Sequence, residues 1–194
     1  MMSEILKIYD QIAPQVSALY SSQTHIKGIQ KFTTNLTKRS KVLDLGCGMG
    51  KDVKLFGDLE LEAVGVDGSV GMIAEAKKRY PKQRFFIMDI RNLEFPEDNF
   101  NLVWSWSVLT HLEIEDKKRT LAQIYRVLKK GGTFVQTIWK GRGLFVNPQF
   151  QPRPHHLLSI GSWKKLYKEA GFVNFKATTI TGLGRNSLRL VARK

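Results

Sequence analysis

Apolar positions recur along this chain in two periods. Ile5, Ile8, Ile12 and Val16 lie on one face at helical spacing and predict a helix over about Glu4–Tyr20, followed by a second from about Thr24 to Leu36. Five short apolar runs come next, Lys41–Leu45, Ala63–Val66, Arg84–Met88, Asn101–Ser105 and Thr133–Ile138. Runs of this kind are found in parallel strands buried on both faces. Helical segments separate them. One begins near Lys51. Another covers Val70–Arg79, with Ser69 as its cap and Pro81 as its stop. A third covers Lys117–Lys129, where Leu121, Ile124, Val127 and Leu128 form a face and Gly131-Gly132 is expected to end the helix. A loop runs from the fourth strand through His111. Residues 140–158 hold three prolines and two glycines and read as an irregular loop at the acceptor site. A helix over Ser162–Ala170, closed by Gly171, leads into two last strands, Phe172–Thr179 and Ser187–Ala192, expected as an antiparallel hairpin. The alternation of strand and helix predicts an α/β fold, a doubly wound, mostly parallel seven-stranded sheet in a single domain of 194 residues.

Composition narrows the class. With 42% hydrophobic and 25% charged residues the chain has the balance of a globular protein. Its one cysteine, Cys47, rules out an intramolecular disulfide framework and a cysteine-rich zinc site. The opening Met1-Met2-Ser3-Glu4-Ile5 does not look like a secretory signal, and no apolar run approaches the ~20 residues of a membrane span. A soluble, cytoplasmic protein is the expectation. The charge is lopsided: residues 113–194 carry 17 Lys/Arg against 4 Asp/Glu, most of the net +14. That half either attracts anions or is a solvated surface.

The chemistry concentrates after the first strand. Val42-Leu43-Asp44-Leu45 runs into glycines at 46, 48 and 50 and then into a helix starting at Lys51. Glycine permits positive φ and close backbone approach, and a helix N-terminus offers unpaired N–H groups. The spacing is G-x-G-x-G, with Asp44 two residues ahead, and differs from the G-x-G-x-x-G of dinucleotide sites. This run resembles the first motif of the class I S-adenosylmethionine-dependent methyltransferases, of the type 11/25-like kind. The resemblance continues through Val64-Gly65-Val66-Asp67-Gly68-Ser69, Phe86-Ile87-Met88-Asp89-Ile90, Asp98–Val103, Arg126–Thr133 and Glu169-Ala170-Gly171-Phe172, covering about residues 38–194. Asn101 departs from the pattern, standing where relatives often have Asp.

The resemblance implies a Rossmann-like fold, S-adenosylmethionine as cofactor and S-adenosylhomocysteine as product. It implies cofactor contacts from Asp44, Gly46, Cys47, Gly48 and Gly50, with Asp67 and Gly68 at the ribose and Asp89 and Ile90 at the adenine. Ile8-Tyr9-Asp10-Gln11-Ile12-Ala13 is similar to the Y-D-x-I-A opening of small-molecule members, so Tyr9 and Tyr20 are expected to cover the cofactor, with residues 1–37 as the covering helices.

The acceptor is less legible. Trp104-Ser105-Trp106-Ser107 lacks the (N/D)-P-P-(Y/F) motif of amino-group methylation on adenine, cytosine or glutamine, and Cys47 sits inside the cofactor loop, away from the role of a pyrimidine C5 nucleophile. A small polar or acidic acceptor remains the first reading. RNA on the basic half, a non-catalytic cofactor-binding module and an NAD-dependent oxidoreductase are the alternatives. His111 reads as a general base or as a turn cap. Trp106 reads as a stack on the adenine or a wall of the acceptor pocket, and Trp104 as an acceptor contact, or both as core. Arg142, Arg153 and His155 are expected at the acceptor entrance with Lys140. His155-His156 has no carboxylates nearby to complete a metal site, and none is expected.

Overall fold

A computed structural model describes residues 2–19, 26–147, 152–180 and 186–194 of the chain. Helices α1 (Met2–Leu19) and α2 (Ile26–Thr33) precede β1 (Lys41–Leu45), α3 (Lys51–Asp58), β2 (Glu62–Asp67), α4 (Val70–Arg79) and β3 (Arg84–Ile87). Then come β4 (Phe100–Trp106), a 3-10 turn at Leu109–His111, α5 (Ile114–Val127) and β5 (Leu128–Trp139). The chain ends with β6 (Gly143–Asn147), β7 (Arg153–Leu157), α6 (Ile160–Glu169), β8 (Val173–Ile180) and β9 (Ser187–Arg193). Tyr20 and the expected start of the second helix, at Thr24, lie outside the described residues.

Seven strands form one sheet in the order β3-β2-β1-β4-β5-β9-β8. The first five are parallel, and β9 runs antiparallel to both β5 and β8. This is the Rossmann-like doubly wound sheet with a C-terminal antiparallel hairpin. Order reverses between β1 and β4, and such switch points are where open α/β sheets bind ligands.

Each sheet face buries its own cluster. Leu43, Leu45, Val103, Phe134 and Leu190 meet Leu121 and Ile124 of α5 and Trp163 and Tyr167 of α6. Val42, Leu102, Trp104 and Val135 meet Ile29 of α2, Val53 and Phe56 of α3, and Ile73 of α4. Ile12 and Ala13 of α1 form a third, smaller cluster with Met49 and Met72. Removing a buried side chain the size of Trp104 from such a core costs about 3–5 kcal/mol.

Local signals explain most boundaries. The Ser69 hydroxyl accepts from the Met72 N–H and caps α4, and Lys77, Lys78 and Arg79 complement the dipole in its last turn. Two expectations need correction. Gly131-Gly132 does not end a helix: α5 stops at Val127, and the glycines lie within β5, where pairing with β4 shifts register between Phe100 and Leu102. Gly131 takes φ 75° there and donates to the Lys194 carbonyl. The pair serves an irregularity in the sheet, a place that also needs positive φ. The second correction concerns residues 140–158, which contain the β6–β7 hairpin rather than an irregular loop. In β7 the buried positions are Arg153, His155 and Leu157, with Pro154 and His156 only partly buried. Polar side chains occupy the inner face, so the period of two is invisible to a hydrophobicity reading. Pro154 is tolerated because this two-stranded sheet leaves both strands with a free edge.

Candidate functional site

The parallel strands end along one edge, and the loop after β1 is its centre. Gly46, Gly48 and Gly50 all have positive φ, at 70°, 50° and 81°. A Cβ on Gly46 would overlap Val108 Cγ2, and one on Gly50 would overlap the Phe85 ring at Cζ. Gly48 differs, since a Cβ there would meet nothing within 4 Å. Two glycines therefore let the loop pack, and the third presents bare backbone to open space. The N–H groups of Gly46 and Cys47 both donate to the Val66 carbonyl, at 2.8 and 2.9 Å, tying the loop to β2.

Asp67 ends β2 and joins two loops. Its Oδ2 accepts from the Gly48 N–H at 2.9 Å and its Oδ1 from the Ser69 N–H at 2.9 Å. A carboxylate has about four lone-pair positions, so these two bonds leave acceptor capacity for hydroxyl donors. Burial pushes the Asp67 pKa up, against the pull of those backbone N–H groups. Asp44 lies deeper, 3% exposed, and its carboxyl is held well above the usual range by burial and then by the charges of Asp52 and Asp67. Burial also pushes the Cys47 thiol well up, which suits a loop residue and opposes a nucleophile.

At the end of β3, Asp89 is half exposed and bound by Arg91, which donates Nε to Oδ1 at 3.0 Å and Nη2 to Oδ2 at 2.8 Å. Those bonds lower the Asp89 pKa. Arg91 also donates Nη1 to Asp116 Oδ2 at 2.9 Å, so Asp89 is fixed by a network reaching α5. Ile90 is buried beside it.

A second group of side chains assembles across the edge from α1, the 3-10 turn and β7. Tyr9 Oη lies 3.0 Å from His111 Nε2, and His111 Nδ1 lies 2.9 Å from the Pro154 carbonyl. A carbonyl only accepts, so Nδ1 carries the proton and Nε2 accepts from the Tyr9 hydroxyl. Burial is the main reason that the His111 pKa is pushed down to about 4, with Arg153, Lys117 and His156 adding cationic pressure. The Arg153 guanidinium sits 5.3 Å over the Tyr9 ring. His155 lies 4.2 Å from the His111 ring and stacks on Trp139 at 4.1 Å, and its Nδ1 is 3.1 Å from the Thr110 hydroxyl. Phe145 of β6 packs edge-on against Trp139.

The structure thus brings Tyr9, His111, Arg153 and His155 together from three distant segments. It does not bring Trp104 or Arg142 to them. Trp104 is fully buried between Phe32 and Phe56 and donates Nε1 to Asp52 at 2.8 Å, so it is a core residue and not a pocket wall. Arg142 is exposed and borders a surface groove with Lys140, Leu158, Ser159 and Gly161. Trp106 is half buried beside Trp104, ring centroids 6.4 Å apart. His155 and His156 alternate across β7, one buried and one only partly so, which separates them as a pair. Sequence reasoning does not single out Asp10, Arg91, Trp139 or Lys117. Of these, Asp10 alone carries a signal, its place beside Tyr9 in the Y-D-x-I-A run.

The family profile described as "Methyltransferase domain" matches residues 42–132. The chain is 28% identical over 147 residues to phosphoethanolamine N-methyltransferase 3 of Arabidopsis thaliana, covering 71% of this chain and 30% of that protein. It is 29% identical over 140 residues to the Plasmodium falciparum phosphoethanolamine N-methyltransferase, covering 69% and 52%. The chain therefore spans about a third to a half of the length of these relatives. In fold it is similar to Haemonchus contortus phosphoethanolamine N-methyltransferase 2 in complex with S-adenosyl-L-methionine, with a TM-score of 0.79, 17% identity, and coverage of 95% of this chain and 57% of that one. Taken with the glycine loop and the strand order, these matches support membership of the class I S-adenosylmethionine-dependent methyltransferase family.

Proposed function

We propose that this chain transfers the methyl group of S-adenosylmethionine to a small polar or acidic molecule. The observation that carries this reading is the hydrogen-bonded Tyr9–His111 pair, set with Arg153 on the same strand edge as the glycine loop. The donor residues fit the cofactor: Gly48 leaves open space at its Cα, and Asp67 retains acceptor capacity beside it. Gly46, Gly48 and Gly50 hold the methionine end, Asp67 and Gly68 the ribose, and Asp89 and Ile90 the adenine. Asp44 and Cys47 support the loop from beneath, and Trp106 walls the acceptor side.

Bound S-adenosylmethionine supplies an electrophilic sulfonium methyl group. The protein's task is alignment of donor and acceptor and removal of a proton. Tyr9 Oη accepts the proton that leaves the acceptor's amine or hydroxyl, while its own proton passes to His111 Nε2. The Nδ1–H bond to Pro154 keeps Nε2 available, and the depressed pKa keeps the ring neutral at neutral pH. The buried Arg153 cation beside this pair favours an acceptor with an anionic group. The two phosphoethanolamine methyltransferase relatives support an acceptor of that general kind.

Calorimetric titration with S-adenosylmethionine, S-adenosylhomocysteine and NAD tests the reading. Micromolar binding of the first two alone supports it. Binding of NAD alone would overturn it. Screening small anionic amines before RNA, at low and high salt, then separates the acceptor classes, since RNA binding weakens steeply with salt.

A further inference from the structure

The two halves of the site are hydrogen-bonded to each other through Asp10. Asp10, next to Tyr9 in α1, accepts at Oδ1 from the Ser69 hydroxyl at 2.6 Å and from the Gly71 N–H at 2.9 Å. Ser69 is also the residue whose N–H holds Asp67, and whose hydroxyl caps α4. A continuous path of bonds therefore runs from the Gly48 N–H to Asp67, from Asp67 to Ser69, and from Ser69 to α1.

Helix α1 is seated closely enough to use this path. A Cβ on Gly71 would lie 2.9 Å from the Asp10 carbonyl oxygen, and one on Gly68 would lie 2.8 Å from Leu6 Cδ2. Both positions lie against α1, and Gly71 must remain glycine because what it meets is backbone. The Asp10 carboxylate also sits at the N-terminal end of α4, where the helix dipole favours negative charge. One turn of α1 thus contains both the latch, Asp10, and the hydroxyl that meets His111, Tyr9.

We propose that Asp10 is a positioning residue through which cofactor occupancy at Asp67 tightens the seat of α1 and so holds Tyr9 on His111. This rests on the cofactor reading given above. Asp10 and Asp67 face each other across Ser69, and the Asp10 carboxylate raises the cost of charge on Asp67. Donors from a bound ribose offset the charge of Asp67, which strengthens the Ser69 bond to Asp10. The donor side and the acceptor side are then held together, and the Tyr9–His111 pair is fixed more firmly when the cofactor is in place.

The test compares the full-length chain with Asp10→Ala, Asp10→Asn and Tyr9→Phe, using S-adenosylhomocysteine as the probe. Hydrogen exchange of the Ile5–Ala13 amides is measured with and without the probe, and its affinity by calorimetry. Asn retains an oxygen that accepts both bonds, whereas Ala retains none. In the wild type, saturating probe slows exchange in α1 by about tenfold or more, the scale of a charge-assisted hydrogen bond. Asp10→Ala abolishes that slowing, raises KM for the methyl donor and lowers kcat. Asp10→Asn restores most of each, and Tyr9→Phe lowers kcat while keeping both protection and affinity. A wild-type α1 whose exchange is indifferent to bound probe overturns the coupling and leaves the cofactor reading standing. So does an Asp10→Ala chain that retains the slowing. Failure of the wild type to bind the probe at all defeats the cofactor reading, and the coupling with it.

Discussion

The proposed donor side and the proposed acceptor side of this site are built by different means. On the donor side, the loop at 46–50 and the end of β2 are short contiguous stretches, and most of their hydrogen bonds involve backbone N–H groups. The acceptor side takes Tyr9 from α1, His111 from a 3-10 turn and Arg153 and His155 from β7, and joins them by side-chain packing. A backbone cradle tolerates only changes that respect φ and the space at Cα, whereas a side-chain assembly loses its chemistry without losing its fold. Substitutions on the two sides should therefore fail in different ways.

The largest effect is expected at Gly50. Its φ of 81° and the Phe85 ring packed directly against its Cα leave no room for a side chain. Gly50→Ala should cost about 2–4 kcal/mol of folding stability, read from the midpoint of urea unfolding. Gly48→Ala has strain from φ 50° but no clash, and should cost about 1 kcal/mol while weakening the cofactor. Equal losses at the two positions would break the distinction between a packing glycine and an exposed one.

On the acceptor side, His111→Asn should leave S-adenosylhomocysteine affinity unchanged and lower kcat by about 10²–10⁴-fold, the range for loss of a positioned proton acceptor. On the donor side, Asp67→Ala should do the reverse in emphasis, weakening cofactor binding by about 10–100-fold through lost charge-assisted bonds. If Asp67→Ala left calorimetric affinity intact, the ribose assignment would be wrong.

The same contrast explains what is legible in the sequence. The alternation of strand and helix, the glycine loop and the strand-end place of Asp67 can be read because each depends on adjacent residues with strong conformational demands. Asp89 can be read, but its Arg91 and Asp116 partners belong to a network that closes only in three dimensions. The β6–β7 hairpin is hidden because Arg153 and His155 fill its buried positions. Trp104 misleads for the opposite reason. Its neighbour Trp106 is near the strand end, and position along the strand does not reveal that Phe32, Phe56 and Asp52 enclose the indole.

The pH dependence of stability sharpens the comparison further. His111 titrates near 4 in the folded chain and near 6.5 when unfolded, so the unfolded state binds the extra proton between those values. The stability that His111 contributes is present above pH 6.5 and is lost as pH falls toward 4, by roughly 3 kcal/mol over the window. Chemical unfolding of His111→Asn across that window should show a flatter profile than the wild type.

The smallest effect is expected at Lys117, which touches neither half directly. It is fully buried on α5, donates Nζ to the Leu112 carbonyl, and lies 5.8 Å from the Trp163 ring. Burial lowers its pKa to about 8, with the Glu113 charge opposing. The unfolded lysine holds its proton to higher pH than the folded one, so stability should rise between about pH 8 and 10.5 in the wild type. Its charge is also one of the cations holding His111 down. Lys117→Met should therefore remove the alkaline rise in stability. It should also move the acid midpoint of methyl transfer upward, because the imidazole loses a repelling neighbour while Arg153 and His156 still face it. An acid midpoint that stays in place in a folded Lys117→Met chain would mean that Lys117 does not hold the His111 proton down, and the acceptor side would then owe nothing to the charge packed behind it.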